Sequence, residues 1–268
     1  MAGNTKALRV RIKSVTSTQQ LTKAMGLVAS SKIRKANEAM LKARQYTLSL
    51  EKSMSLLISQ QESQKSPYMQ KRDGGRTRLV VIAGDRGLAG GYNANIFRLC
   101  REYEGAEFIP IGKRACERFQ HTIVSSERFS FEQALELAEM LCRDFAAGEY
   151  DRLGVVYTEY HSVMTQEATV KWLLPLERTA KPNEVGVIYE PDHLTVLNMA
   201  IKEYVAGILT ATARESFACE VAARRMAMDS AGKNAKQMID DLSLEYNRAR
   251  QGAITQEITE IVAGSGID

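Results

Sequence analysis

The chain has 268 residues, 44% of them apolar, and a formal net charge of +4. That length fits one large domain or two ordinary ones, and that apolar share can supply a buried core. The longest clean apolar runs, such as Leu79-Val80-Val81-Ile82-Ala83, are strand-sized and fall far short of the ~18–20 residues that span a bilayer, so the chain is not expected to sit in a membrane by itself.

The charge is unevenly placed. Residues 1–52 carry 11 Lys and Arg against two acids, Glu38 and Glu51. The remainder is net acidic, so the basic start needs acidic partners on this chain or another. Its basic, Ser/Thr-rich texture also resembles an organellar transit peptide. Cys100, Cys116, Cys142 and Cys219 form no Cys-x-x-Cys pair and match no zinc spacing, so they read as buried, inert thiols of a reducing compartment.

Proline punctuates the middle only. All five prolines fall between Pro67 and Pro191. Proline costs about 3 kcal/mol inside a helix, so the two terminal segments are free to form helices far longer than usual. Helices over residues 5–57 and 192–262 would reach roughly 80 and 100 Å at 1.5 Å per residue. A pair of that length predicts a long rod with a globular domain inserted between its strands.

In chain order, the first helix has one face formed by Val15, Thr18, Thr22, Met25, Ala29, Lys32, Ala36 and Met40, at steps of three and four. The face is small and weakly apolar, so the helix requires a long partner. Gly26 within it marks a close approach of another backbone. Residues 61–77 are polar and turn-rich and read as a loop or linker. From Arg78 the texture becomes α/β. Strands are expected at Arg78–Ala83, Phe108–Ile111, Thr122–Val124, Leu153–Tyr157 and Ala168–Leu174. Helices are expected at Asn93–Glu104, Lys113–Gln120 and Ser130–Ala147, the last with Ser130 as N-cap. This alternation gives a mainly parallel, Rossmann-like sheet over 78–190. Glu190-Pro191-Asp192 opens the last helix, with Pro191 in its first turn. Ile201, Tyr204, Val205, Ile208, Phe217, Val221, Met228, Ala231, Met238, Leu242, Tyr246 and Ala249 carry its apolar period. The first helix (1–60) and the last (191–268) can then pair as an antiparallel coiled coil.

Chemistry is sparse. Gly84–Gly91 sits between a strand and a helix, where a Rossmann fold cradles a pyrophosphate, yet the spacing is not G-x-G-x-x-G and no Gly-Lys-Ser/Thr follows. It reads as a tight turn needing positive φ. His121, His161 and His193 have no ligand spacing, and no Ser-His-Asp or Cys-His set has a convincing context. No catalytic residue, metal ligand or cofactor site is expected on this chain. The basic face lacks aromatics for base stacking, so nucleic acid is not an expected partner. The end of the chain is the odd feature. Gln251–Val262 reads as a helix with an apolar face and no following fold to bury it, which implies a pocket or sleeve on another protein.

Three stretches carry a resemblance. They are Arg11–Val15 with Leu21–Lys32 and Arg34-Lys35-Ala36, then Asp85–Asn93, then Arg225–Met228 with Leu242–Gln251 and Ile254–Val262. In this order they resemble the gamma subunit of the F-type ATP synthase. The resemblance implies a non-catalytic rotor shaft that couples proton-driven rotation to ATP synthesis on a ring of alpha and beta subunits. It also implies epsilon and the c-ring as partners, at the cytoplasmic face of a bacterial plasma membrane. Because it starts within the first dozen residues, it implies that the basic start is shaft rather than transit peptide. By position it makes Lys23, Met25, Arg250, Gln251, Thr255, Glu257 and Thr259 the rotor–stator contact. Ile258, Ile261 and Val262 become an apolar bearing, and Tyr189 and Glu190 a foot near epsilon and the c-ring. Gly84 stands where the family more often has Ser, Ala89 where it often has Cys, and the tail Gly264–Asp268 also departs. Two other readings compete: a dinucleotide-binding enzyme with helical arms, which rests on Gly84–Gly91, and a nucleic-acid adaptor, which rests on the basic helix. Neither accounts for both ends of the chain.

Overall fold

The computed structural model describes residues 2–72, 74–178 and 188–265, with the side chains of residues 2–4 left aside. Two long helices hold the termini, α1 at Ala2–Ser59 and α5 at His193–Ser265. Between them run β1 (Thr77–Ile82), α2 (Tyr92–Cys100), β2 (Glu107–Ile111), α3 (Lys113–Phe119), α4 (Phe131–Ala147), β3 (Arg152–Tyr160) and β4 (Gln166–Leu174). The chain divides into two compact units. One comprises residues 1–29 and 224–268, the other residues 30–223.

The first unit is a helix pair. Leu8, Thr22 and Ala29 are buried at seven-residue spacing, with Val15 partly buried between them and Ile12, Gln19 and Gly26 beside them. On α5, Met228, Ala235 and Leu242 are buried at the same spacing, with Gly232, Ile239 and Tyr246 half-buried. Two interleaved heptad series of this kind form the seam of a coiled coil. The seam is antiparallel: a Cβ on Gly26 would lie 3.7 Å from the Met228 Cβ, and one on Gly232 would lie 3.6 Å from the Thr22 hydroxyl. Two residues depart from the expected faces. Thr18 and Met238 are exposed, because the period is 3.5 and the stripe passes through Gln19 and Ile239 instead.

The second unit is built on a four-stranded sheet of order β2-β1-β3-β4. β1 is parallel to β2 and β3, and β4 runs antiparallel on the edge. One face carries α2 with Leu79, Val81, Ile96 and Val156. The other receives α4 and a stretch of α5 through Val80, Ile82, Leu141, Phe145, Ile201 and Ile208. One stretch of α5 is long and apolar enough by composition to cross a membrane, which the absence of long apolar runs did not lead one to expect; 44% of it is buried inside the protein. The fully buried Leu197, Ile201, Val205 and Leu209 give α5 the character of a core helix. Ser130 forms the expected cap of α4, as a box with Gln133. Gly112 begins α3 at φ 98°, and any Cβ there would collide with the Ala83 carbonyl, so only glycine serves.

Several local expectations change. Thr122–Val124 is not a strand; Val124 instead exchanges bonds with Gly112 and the Cys116 thiol. Residues 61–77 are not a plain loop. They hold two 3-10 turns, Gln61–Lys65 and Pro67–Met69, and bury Ser63, Ser66 and Tyr68. α2 stops at Cys100, before the Gly105 turn at φ 84°. Pro191 precedes α5 rather than lying in its first turn. Asp192 is the capping residue, accepting from the Thr195 N–H at 3.0 Å and the Thr195 hydroxyl at 2.7 Å.

Candidate functional site

The C-terminal end of α5 is built to be covered. In the antiparallel register, Thr22 meets Gly232 and Gly26 meets Met228, so the start of α1 falls opposite residue 252 or so. Beyond that point α5 continues for roughly a dozen residues, about 18 Å, with no helix beside it among the described residues. Every residue from Ile254 to Ser265 is exposed. Ile254, Ile258, Ile261 and Val262 recur at i, i+4, i+7 and i+8, so they share one face. Ile261 is 70% and Val262 64% exposed. A stripe of that kind on a single helix is a candidate interaction surface.

Polar groups flank the stripe. Gln251, Thr255 and Thr259 form a line along one side, and Arg250 and Glu257 lie toward the other by the helical repeat. The Thr255 hydroxyl donates to the Gln251 carbonyl at 2.9 Å, and the Thr259 hydroxyl to the Thr255 carbonyl at 2.8 Å. Their hydrogens are therefore engaged along the helix, and only their lone pairs face outward. Lys23, Arg250, Gln251 and Glu257 are exposed and have no side-chain partner among the described residues. Met25 is half-buried beside the Gly26 crossing. The structure thus gathers Arg250, Gln251, Thr255, Glu257, Ile258, Thr259, Ile261 and Val262 on one helical end, whereas Lys23 and Met25 belong to α1. Of the tail, Gly266–Asp268 lie outside the described residues.

Tyr189 and Glu190 belong to the other unit. The Tyr189 ring stands edge-on to His193 at 4.9 Å, and His193 Nε2 meets the Leu57 carbonyl at 2.9 Å, which ties the start of α5 to the end of α1. Glu190 is exposed.

The glycine-rich turn is anchored to its surroundings by side-chain hydrogen bonds. Leu88 and Gly90 have φ of 61° and 57°, as a tight turn requires. Asp85 folds back and accepts from the N–H groups of Lys113, Ser126 and Glu127 at 3.0, 3.0 and 3.1 Å, and from the Ser125 hydroxyl at 2.6 Å. Burial pushes the Asp85 carboxyl up, but these four donors together hold it below the usual carboxylate range. The Asp85 carboxylate therefore ties the turn to the start of α3 and to the Ser125–Glu127 segment. The Gly84 N–H is taken by Asn93 at 2.9 Å, and a Cβ on Gly84 would lie 2.8 Å from the buried Glu220 carboxyl carbon. Among the described residues no cluster of His, Cys, Asp and Glu is arranged to hold a metal. The cysteines are all buried; burial pushes the Cys100 thiol up to about 11 and the Cys142 thiol to about 12, far from a reactive thiolate.

Ion pairs that no motif announces clamp the helices to the sheet domain. Arg44 on α1 bonds Glu215 on α5 and the Tyr160 carbonyl, each at 2.6 Å, while Glu215 accepts the Tyr160 N–H at 2.9 Å. Lys32 meets Glu127 at 2.6 Å, and Arg86 reaches the same carboxylate at 3.6 Å. Sequence reading missed both sets, because their partners lie 95 and 171 positions apart with no periodic signal.

Comparison with known proteins decides the lineage. The ATP synthase family profile matches residues 4–266. The ATP synthase gamma chain of Ruminococcus albus is 41% identical, with 98% of each chain covered, and that of Geobacter sp. strain M21 is 39% identical at the same coverage. The chain belongs to the ATP synthase gamma chain family. A further gamma chain, described as sodium ion specific, from Acetobacterium woodii, is 36% identical over 99% of both chains. Among solved structures, a chain of the Euglena gracilis mitochondrial ATP synthase described as OSCP/F1/c-ring superposes with a TM-score of 0.68 at 20% identity, covering 100% of this chain and 98% of that one. That likeness establishes the fold: terminal helices flanking a small mixed sheet.

Proposed function

We propose that this gamma chain is the central rotor shaft of an F-type ATP synthase, coupling ion-driven rotation to ATP synthesis and hydrolysis on a surrounding ring of alpha and beta subunits. The observation that carries the reading is the unpartnered, apolar-striped end of α5, flanked by unpaired Arg250, Gln251 and Glu257. Ile258, Ile261 and Val262 serve as a bearing against the apolar collar of the ring. Lys23, Met25, Arg250, Gln251, Thr255, Glu257 and Thr259 contact the stator, with the two cations facing acidic segments as they pass. Tyr189 and Glu190 form a foot toward epsilon and the c-ring.

The mechanism is differential binding. One asymmetric shaft presents a different surface to each of three equivalent sites, so each site is biased toward a different conformation. Turning the shaft moves that bias around the ring, and linkage makes nucleotide exchange turn the shaft in return. The shaft needs no cofactor and no catalytic group of its own for this work. The complex stands at the cytoplasmic face of a bacterial plasma membrane, driven by protons. The direct test is to fix an alpha/beta ring to a surface, attach a bead to the sheet domain of this chain, and add ATP. Unidirectional rotation is expected, and a bead that binds yet never turns contradicts the reading.

A further inference from the structure

A cavity of about 610 Å³ opens in the α/β unit between the end of α1, strand β4 and α5. That volume lies in the range of small-molecule sites. Its floor is aliphatic, from Met54, Ile58, Leu173, Leu174 and Leu176. Its rim carries three acids and three cations, Lys71, Arg72 and Arg152, with Arg72 in the field of Asp151 and Arg152 in that of Glu177.

The three acids on the wall are each already paired: Glu51 with Lys171 at 2.6 Å, Asp151 with Arg76 at 3.2 Å, and Glu177 with Lys71 at 2.8 Å. Two of the rim cations have no such partner. Among the described residues Arg72 donates to the carbonyls of Phe145 and Tyr150, at 2.6 and 3.2 Å, and lies 4.8 Å from the centre of the Phe145 ring. Arg152 lies flat over Trp172, 3.8 Å from the ring centre. Neither guanidinium makes an ion pair with a carboxylate among the described residues. Tyr204 supplies a third unused group. Its residue is 9% exposed, it lines the cavity, and its hydroxyl has no hydrogen-bond partner among the described residues. Burial pushes that phenol up to about 12, so it stays a donor at neutral pH. The hydroxyl is not among the fully buried polar atoms, so a ligand or water can reach it from the cavity.

We infer that this cavity binds an amphipathic anion with an aliphatic tail, its carboxylate or phosphate head held by Arg72, Arg152 and Tyr204 and its chain laid on the Met54–Ile58–Leu174 floor. The head chemistry follows from guanidinium geometry, which matches planar and tetrahedral oxyanions. The tail chemistry follows from the floor, which is aliphatic; the one large aromatic face, Trp172, is already covered by Arg152. A flat aromatic ligand would have nothing to stack on.

Trp172 is the sole tryptophan and provides a built-in reporter. The purified full chain is titrated with oleate below its micelle concentration, by fluorescence and by calorimetry, with oleyl alcohol as the uncharged twin. Saturable one-site binding of oleate is expected, with the alcohol at least about 10-fold weaker for loss of the charge-assisted bonds. Arg152→Gln and Tyr204→Phe, read by calorimetry, should each weaken oleate several-fold at unchanged melting temperature. Arg152→Lys, which keeps the charge but not the fork, should weaken it too. A second arm presents phosphatidylglycerol in nanodiscs: binding there identifies a lipid headgroup as the source, and binding of oleate alone identifies a free fatty acid. Equal affinity for oleate and oleyl alcohol, affinity unchanged in Arg152→Gln, or no saturable binding of either anion overturns the inference.

Discussion

At the scale of single residues, buried charge explains more than motif identity. Asp85 stands in the glycine-rich run, yet its work is to accept four hydrogen bonds from the Lys113 and Ser125–Glu127 segments. Its folded carboxyl is held below its unfolded value, so its contribution is present in full above the unfolded value near 3.9 and fades as pH falls through the folded one. Asp85→Asn should therefore lower stability at pH 7 by about 1–3 kcal/mol in urea unfolding, the range for hydrogen bonds to a charged group. The gap between variant and parent should narrow below about pH 4; a gap that stays constant with pH contradicts this role. Arg250 belongs to the same scale. It is exposed and has no side-chain partner among the described residues, so reversing it to Glu should leave the melting temperature within about 0.5 kcal/mol equivalent of the parent, as for an exposed site. ATP-driven ion pumping by the assembled enzyme should fall several-fold for each ATP hydrolysed. Pumping at the parent ratio removes Arg250 from the rotor contact.

The long helices show what periodicity can and cannot convey. The absence of proline and the recurrence of small apolar residues made α1 and α5 legible from the sequence, as did most strands and the cap at Ser130. Register was less legible. Met238 satisfies a 3.6-residue count, whereas the seam follows 3.5 and selects Ile239. The two 3-10 turns at 61–69 were hidden for a different reason: their polar residues look like loop, and only the tertiary burial of Tyr68 against Phe145 gives them structure. The Arg44–Glu215 clamp was invisible because ion pairing between distant segments leaves no local pattern. The exposed end of α5, by contrast, was readable as a candidate site, since an apolar face at a chain end is anomalous whatever the fold. Gly26 makes a prediction at this scale. A methyl there would sit 3.7 Å from Met228, an ordinary contact. Gly26→Ala should thus raise helix stability by up to about 1 kcal/mol. Gly26→Leu should open the pair and lower the melting temperature by several degrees, because overpacking a close crossing costs about 1–3 kcal/mol. Equal melting temperatures for the two variants would show that no close approach exists at Gly26.

For the molecule as a whole, function lies in what the chain leaves uncovered. About a dozen residues of α5 end in an exposed apolar stripe. Membership of the gamma chain family names its setting, and the proposed shaft role turns it into a measurable requirement. The measurement that tests this most directly mixes the purified chain with cognate alpha and beta subunits and follows steady-state ATP hydrolysis with and without it, alongside co-elution. The account predicts that the chain alone hydrolyses nothing and that alpha, beta and gamma elute as one large complex whose sustained turnover depends on gamma. Hydrolysis by this chain alone, or full turnover of alpha and beta in its absence with no complex formed, would contradict it.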